Sequence, residues 1–109
     1  MATTLSVLGQ VAPSATTLTT LYTVPALTTT AVSSIVVCNT SATATSFRIS
    51  VAVAGAGDAL SQYLYYNVTI AGNDTFIATC GFSLGAADVV RVYATLATLT
   101  FSAFGQQNT

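Results

Sequence analysis

The sequence predicts an all-β domain: a single antiparallel β-sandwich of seven or eight strands, immunoglobulin-like or jelly-roll in topology. Three observations carry this. Apolar residues recur mostly with a period of two, as on a strand that buries one face. The runs are built from Val, Ile, Thr, Tyr and Phe, whose branched or aromatic side chains suit a pleated, half-buried surface. Gly, Asn, Asp and Pro interrupt them at short intervals, and no stretch keeps the 3.6-residue period of a long helix. At 109 residues the chain makes one domain, able to bury roughly two thirds of its unfolded surface around one core. No repeat of solenoid length is visible. Residues 1–17 read as an N-terminal arm, 18–105 as the sandwich and 106–109 as a C-terminal tail.

Within the arm, 5–10 forms at most a short strand, and it lacks the aromatic anchors of a core strand. Leu5, Val7 and Leu8 are therefore expected to contact a neighbouring chain. Residues 18–24 read as a strand stopped by Pro25, and 31–39 as a longer one whose centre is apolar on both faces, which places it inside a sheet. The clearest alternation runs over 46–54. It points Phe47, Ile49, Val51 and Val53 at the core and Arg48, Ser50, Ala52 and Ala54 at solvent, and a one-residue slip would exchange the two sets. A loop over 55–60 leads to 63–70, where Leu64, Tyr66, Val68 and Ile70 oppose Tyr63, Tyr65, Asn67 and Thr69. The aliphatic set is expected inward. Ala71-Gly72-Asn73-Asp74 has the chemistry of a tight turn or corner, since Gly and Asn tolerate positive φ. Beyond it, 75–82 sets Phe76, Ala78, Cys80 and Phe82 toward the core. Gly85-Ala86-Ala87-Asp88 makes another turn into 89–94, and 97–104 follows closely enough to predict a closing hairpin.

Charge is scarce. The chain has Lys+Arg 2, Asp+Glu 3 and His 0, so 5% of it is charged, against about 25% in an average domain. Arg48 and Arg91 are isolated, which excludes nucleic acid and anionic membrane surfaces as partners, because both require clustered cations. Mean hydropathy is +0.71, yet Thr, Ser or Pro breaks every apolar run well before the ~20 residues of a spanning helix. The N-terminal stretch has no basic region ahead of its apolar residues, so it reads as structural rather than as a secretion signal. Cys38 and Cys80 are accordingly expected to stay reduced and buried. Sequons at Asn39, Asn67 and Asn73 matter only in a secreted protein.

The same inventory argues against an enzyme. Ser and Cys nucleophiles need a base, there is no His, and Asp58, Asp74 and Asp88 sit in turn-like contexts. No catalytic residue, cofactor or metal is expected, since a calcium site would need about six to eight oxygen ligands. Tyr63 and Tyr65, with Tyr66, are expected to pack against another subunit; the alternative is an aromatic platform for sugar rings. Soluble β proteins guard their sheet edges with Lys, Pro or inward charges. A chain without Lys and with a net charge near zero is prone to associate, which predicts a homo-oligomer.

The strings Leu21-Tyr22-Thr23-Val24-Pro25, Ser33-Ser34-Ile35-Val36-Val37-Cys38-Asn39, Tyr63-Leu64-Tyr65-Tyr66, Asn73-Asp74-Thr75-Phe76, Asp88-Val89-Val90-Arg91-Val92-Tyr93-Ala94 and Phe104-Gly105 together resemble short all-β bacteriophage virion proteins. That family includes tail and capsid-decorating components. The resemblance implies a virion structural protein assembled in the bacterial host cytoplasm. Its implied role is capsid decoration, or cement, that bridges shell subunits as a symmetric oligomer, a trimer at local three-fold positions. Its implied partners are copies of itself and the major capsid protein or other virion proteins. A tail, baseplate or fibre-attachment module is the alternative within the same particle, and a carbohydrate-binding receptor-attachment module the alternative outside that class.

Overall fold

The computed structural model describes residues 2–109, apart from the side chain of Cys80, so the expected core position of that side chain lies outside the described residues. Eight strands run β1 (Thr3–Val11), β2 (Thr19–Thr23), β3 (Thr29–Asn39), β4 (Thr45–Ala52), β5 (Tyr63–Ile70), β6 (Thr75–Leu84), β7 (Val89–Ala94) and β8 (Leu99–Asn108). They form two antiparallel four-stranded sheets, ordered β1-β8-β3-β6 and β2-β7-β4-β5. This double-sheet order is that of a jelly roll, which resolves the two topologies the sequence leaves open. Among the described residues no helix is long and apolar enough to cross a membrane.

Consecutive strands change sheet at every connection except β4 to β5. The expected hairpin between the last two strands is therefore absent: β7 lies in one sheet and β8 in the other. Residues 95–98 span the gap, because sheets pack about 10 Å apart and an extended residue reaches about 3.3 Å. The expected corner at Asn73 does form. Asn73 takes φ 55° and donates its N–H to the Ser41 carbonyl at 2.7 Å.

The arm and tail boundaries are corrected. β1 pairs with β8 of its own chain from Thr3↔Asn108 to Val11↔Phe101, and residues 106–108 belong to β8. Uncharged, β-prone residues on both segments let their backbones satisfy one another, so the terminal segments complete a sheet. β1 also lies close to β2, where a Cβ added at Gly9 would strike the Leu21 carbonyl oxygen.

Between the sheets, Phe47 is the hub of an aromatic cluster. Its ring centroid lies 5.3 Å from Phe76 and 6.1 Å from Phe101, with Tyr65 5.7 Å from Phe76 in an edge-on contact. Ile35, Ile49, Leu99, Val32, Val37, Val90 and Val92 are fully buried around it. β3 sits between β8 and β6, as its two-sided apolar centre predicts. Its inward set jumps from Val32 to Ile35 because the register shifts around Ser33 against both neighbours. A matching shift between Val7 and Gly9 turns Leu8 onto the core.

Strand β4 follows its alternation only in part. Phe47 and Ile49 are fully buried and Val51 packs on the same core. Val53 is 70% exposed, because β4 ends at Ala52 and Ala54, at φ 55°, turns the chain into the 3-10 turn Val53–Gly55. Nor is the opposite face wet: Ser50 and Ala52 are both 0% exposed. Residues 53–62 fold back over it, held by Arg91, which stands opposite Ser50. Arg91 Nη1 and Nη2 donate to the carbonyls of Ala56 and Gly55 at 2.8 and 3.3 Å.

Strand β5 switches faces twice. Tyr66 and Asn67 share the position opposite Arg48, and Leu64 is an extra residue between the pairs Tyr65↔Ile49 and Tyr63↔Ser50. Each bulge reverses the alternation. Val68 and Ile70 face inward as expected, whereas Leu64 and Tyr66 are exposed and Tyr65 takes a place against the core.

Candidate functional site

Most of the scarce charge holds the fold together. The Asp88 carboxylate accepts from the N–H groups of Ala54 and Gly85, both at 2.9 Å, fastening the 53–62 segment to the turn before β7. Asp74 Oδ1 accepts from the Thr75 N–H at 2.8 Å, and Arg91 is engaged as described. Among the described residues, no three His, Cys, Asp or Glu side chains gather in one place.

Arg48 is placed differently. It projects from the outer face of β4, flanked by Tyr66 on β5 and Tyr93 on β7, with its Cζ 4.3 Å from each ring centroid. Its Nε donates to Asn67 Oδ1 at 2.7 Å. The bulge creates this arrangement, since Asn67 takes φ 52° and Tyr66 is thereby carried to the outer face. Tyr63 meets Tyr66 edge-on, with centroids 5.1 Å apart. Partial burial pushes the Tyr63 phenol above its ordinary pKa, the Asp58 carboxylate beside it pushes the same way, and Arg48 pulls against both.

A second surface lies on the other side of the sandwich. No strand of the β1-β8-β3-β6 sheet contains a charged residue; both arginines stand on β4 and β7, and all three aspartates in connections. Leu5, Val7 and Ile77 are 78, 53 and 61% exposed on this sheet. Leu5, Ala31 and Phe104 help line a shallow depression of about 330 Å³. β1 forms one rim of this face, with nine residues free of charge and proline. The opposing sheet has better-guarded edges, β2 with five residues and the twice-bulged β5.

Of the residues singled out from sequence, Leu5 and Val7 share this uncharged face, while Leu8 packs on the core. Tyr63 belongs to the Arg48 cluster, across the sandwich from Leu5 and Val7. Tyr65 is turned inward and half-buried against the core, so its ring does not share a platform with Tyr63 and Tyr66. Sequence reasoning passed over Arg48 and Tyr93 as site residues; the available signal was their place on neighbouring strands, which only the β4–β7 register Arg48↔Tyr93 reveals. Of the sequon residues, Asn39 is buried, its Nδ2 donating to the carbonyls of Thr43 and Ala71 at 2.8 and 3.2 Å, so no glycan fits there in the folded chain. No family model, curated protein or solved structure matches this chain.

Proposed function

We propose that this protein is a non-enzymatic structural subunit of a bacteriophage virion, a decoration or cement protein that self-associates through its β1-β8-β3-β6 sheet and bridges shell subunits. The observation that carries the reading is the uncharged sheet ending in the open edge of β1, with Leu5 and Val7 exposed on it. An edge of this kind pairs readily with another chain, and a symmetric assembly is the usual way such edges are closed. Jelly rolls recur among viral capsid domains and also among lectins, so the fold alone does not separate those roles. The family resemblance of the strand sequences supports the virion, and the shortage of surface charge supports a chain whose faces are covered. Each contact is modest, and many copies acting together supply the strength.

The reading is tested in two steps. Purified protein is expected to sediment as a closed oligomer, a trimer by the resemblance, and Leu5→Lys with Val7→Lys to give folded monomer. Mass spectrometry of purified particles is then expected to count hundreds of copies. A few dozen would move the protein to the tail, and a wild-type monomer that binds soluble glycans would replace the reading with receptor attachment.

A further inference from the structure

We propose that Arg48, held between Tyr66 and Tyr93, is the anchor by which the outer face of the β2-β7-β4-β5 sheet takes a carboxylate side chain of a partner protein. This stands independently of any association through β1. The chain has two cations in all. Arg91 is engaged with the Gly55 and Ala56 carbonyls, which leaves Arg48 as the cation available for recognition. Rings on the two neighbouring strands flank its guanidinium from either side at 4.3 Å, and Nε is tied to Asn67. The Tyr63 phenol, which Asp58 also approaches, is the guanidinium's other polar neighbour, and among the described residues no carboxylate pairs with Arg48 directly.

A guanidinium stacked in this way is fixed in orientation before anything binds, so little rotamer freedom is lost when its rim accepts a two-oxygen ligand. Carboxylates fit that fork with two parallel hydrogen bonds. Two of the chain's own carboxylates are engaged elsewhere, Asp88 on two backbone N–H groups and Asp74 on Thr75, and Asp58 meets the cluster through the Tyr63 phenol. One guanidinium per chain matches one carboxylate rather than a polyanion, whose binding requires several cations. A protein surface is favoured over a sugar because the faces of Tyr66 and Tyr93 are turned to the guanidinium. They offer no flat platform for a sugar ring. Tyr and Arg together are also the composition of protein–protein anchor points.

With two arginines, the test can use one as control for the other. The Nε–H signals of Arg48 and Arg91 are followed by NMR in the full-length protein while a short capped peptide carrying a single glutamate is added. The Arg48 signal is expected to move saturably, with the Tyr66 and Tyr93 ring protons, while Arg91 stays still. Arg48→Lys keeps the charge but loses the fork, and is expected to weaken binding about tenfold or more. Tyr66→Leu, which leaves the charge untouched, is expected to weaken it in the same direction, and the amide spectrum of each variant checks its fold. A still Arg48 signal, equal movement of Arg91, or undiminished binding by Arg48→Lys overturns the proposal. Tighter binding of a uronate monosaccharide than of the peptide overturns the protein partner in favour of an acidic glycan.

Discussion

Ser50 shows how far a single residue can depart from its strand pattern. Its hydroxyl is fully buried and has no hydrogen-bond partner among the described residues, a position in which an unsatisfied group costs about 1–3 kcal/mol. Ser50→Ala is therefore expected to stabilise the fold by up to about 1 kcal/mol after the loss of packing, read as a higher urea midpoint. Ser50→Asp should prevent folding, because it would bury a charge under the 53–62 segment; a soluble, fully folded Asp variant would mean that this segment stands open in solution. Tyr63 gives a second test. Its phenol is raised from the ordinary value of 10.0, first by burial and then by Asp58, and lowered by Arg48. A raised folded-state pKa stabilises the fold below the ordinary value, and that contribution is lost as pH climbs through the raised one. Phenolate absorbance should thus show Tyr63 titrating late, earlier in Asp58→Asn and later still in Arg48→Gln. An unchanged curve in both variants would show that the cluster does not hold in solution.

At the scale of the strand, bulges decide what each element presents. The paired residues Tyr66 and Asn67 opposite Arg48 both roughen the edge of β5, which discourages pairing, and assemble the arginine cluster. β1 has the opposite character, an open uncharged edge that is nonetheless part of its own sheet. Its close approach to β2 depends on Gly9, and Gly9→Ala should cost about 1–3 kcal/mol because the Leu21 backbone cannot retreat from a Cβ. Unfolding in urea measures this directly. A neutral Gly9→Ala would place β1 farther from β2 than described. Removing residues 2–10 would likewise strip a partner from β8 and leave a new edge, so it should destabilise the domain rather than release a dispensable arm.

For the molecule as a whole, the two sheets divide the work. One outer face is uncharged and apolar at β1, and the other carries both arginines. The association proposed for the first face would rest on backbone pairing and apolar burial, so its strength should be nearly indifferent to sodium chloride, which screens charges, and should increase in sulfate, which favours burial. Sedimentation over a salt series checks this. Dissociation as sodium chloride rises would assign the contact to charges and hence to the Arg48 face. An assembly built through the uncharged sheet leaves Arg48 facing outward, free to meet a different protein.

Local pattern along the chain was enough to read the class of fold, the positions of the strands within a few residues and part of the core, Phe47 and Ile49 on β4, Val68 and Ile70 on β5 and Phe76 and Ala78 on β6. Those follow from a period-two pattern and from turn residues such as Asn73, and both are local properties of the chain. Tertiary structure alone decided which strands are neighbours. A four-residue link after Ala94 serves a hairpin or a crossing between sheets equally well, and only the competition among all eight strands for partners selects the crossing. It also decided the bulges, and through them the inward turn of Tyr65 and the outward turn of Tyr66, since an extra residue is defined against the register of the strand beside it. The Arg48 cluster lay beyond reach for the same reason: its rings come from strands on either side, and nothing in their spacing along the chain brings them to one cation.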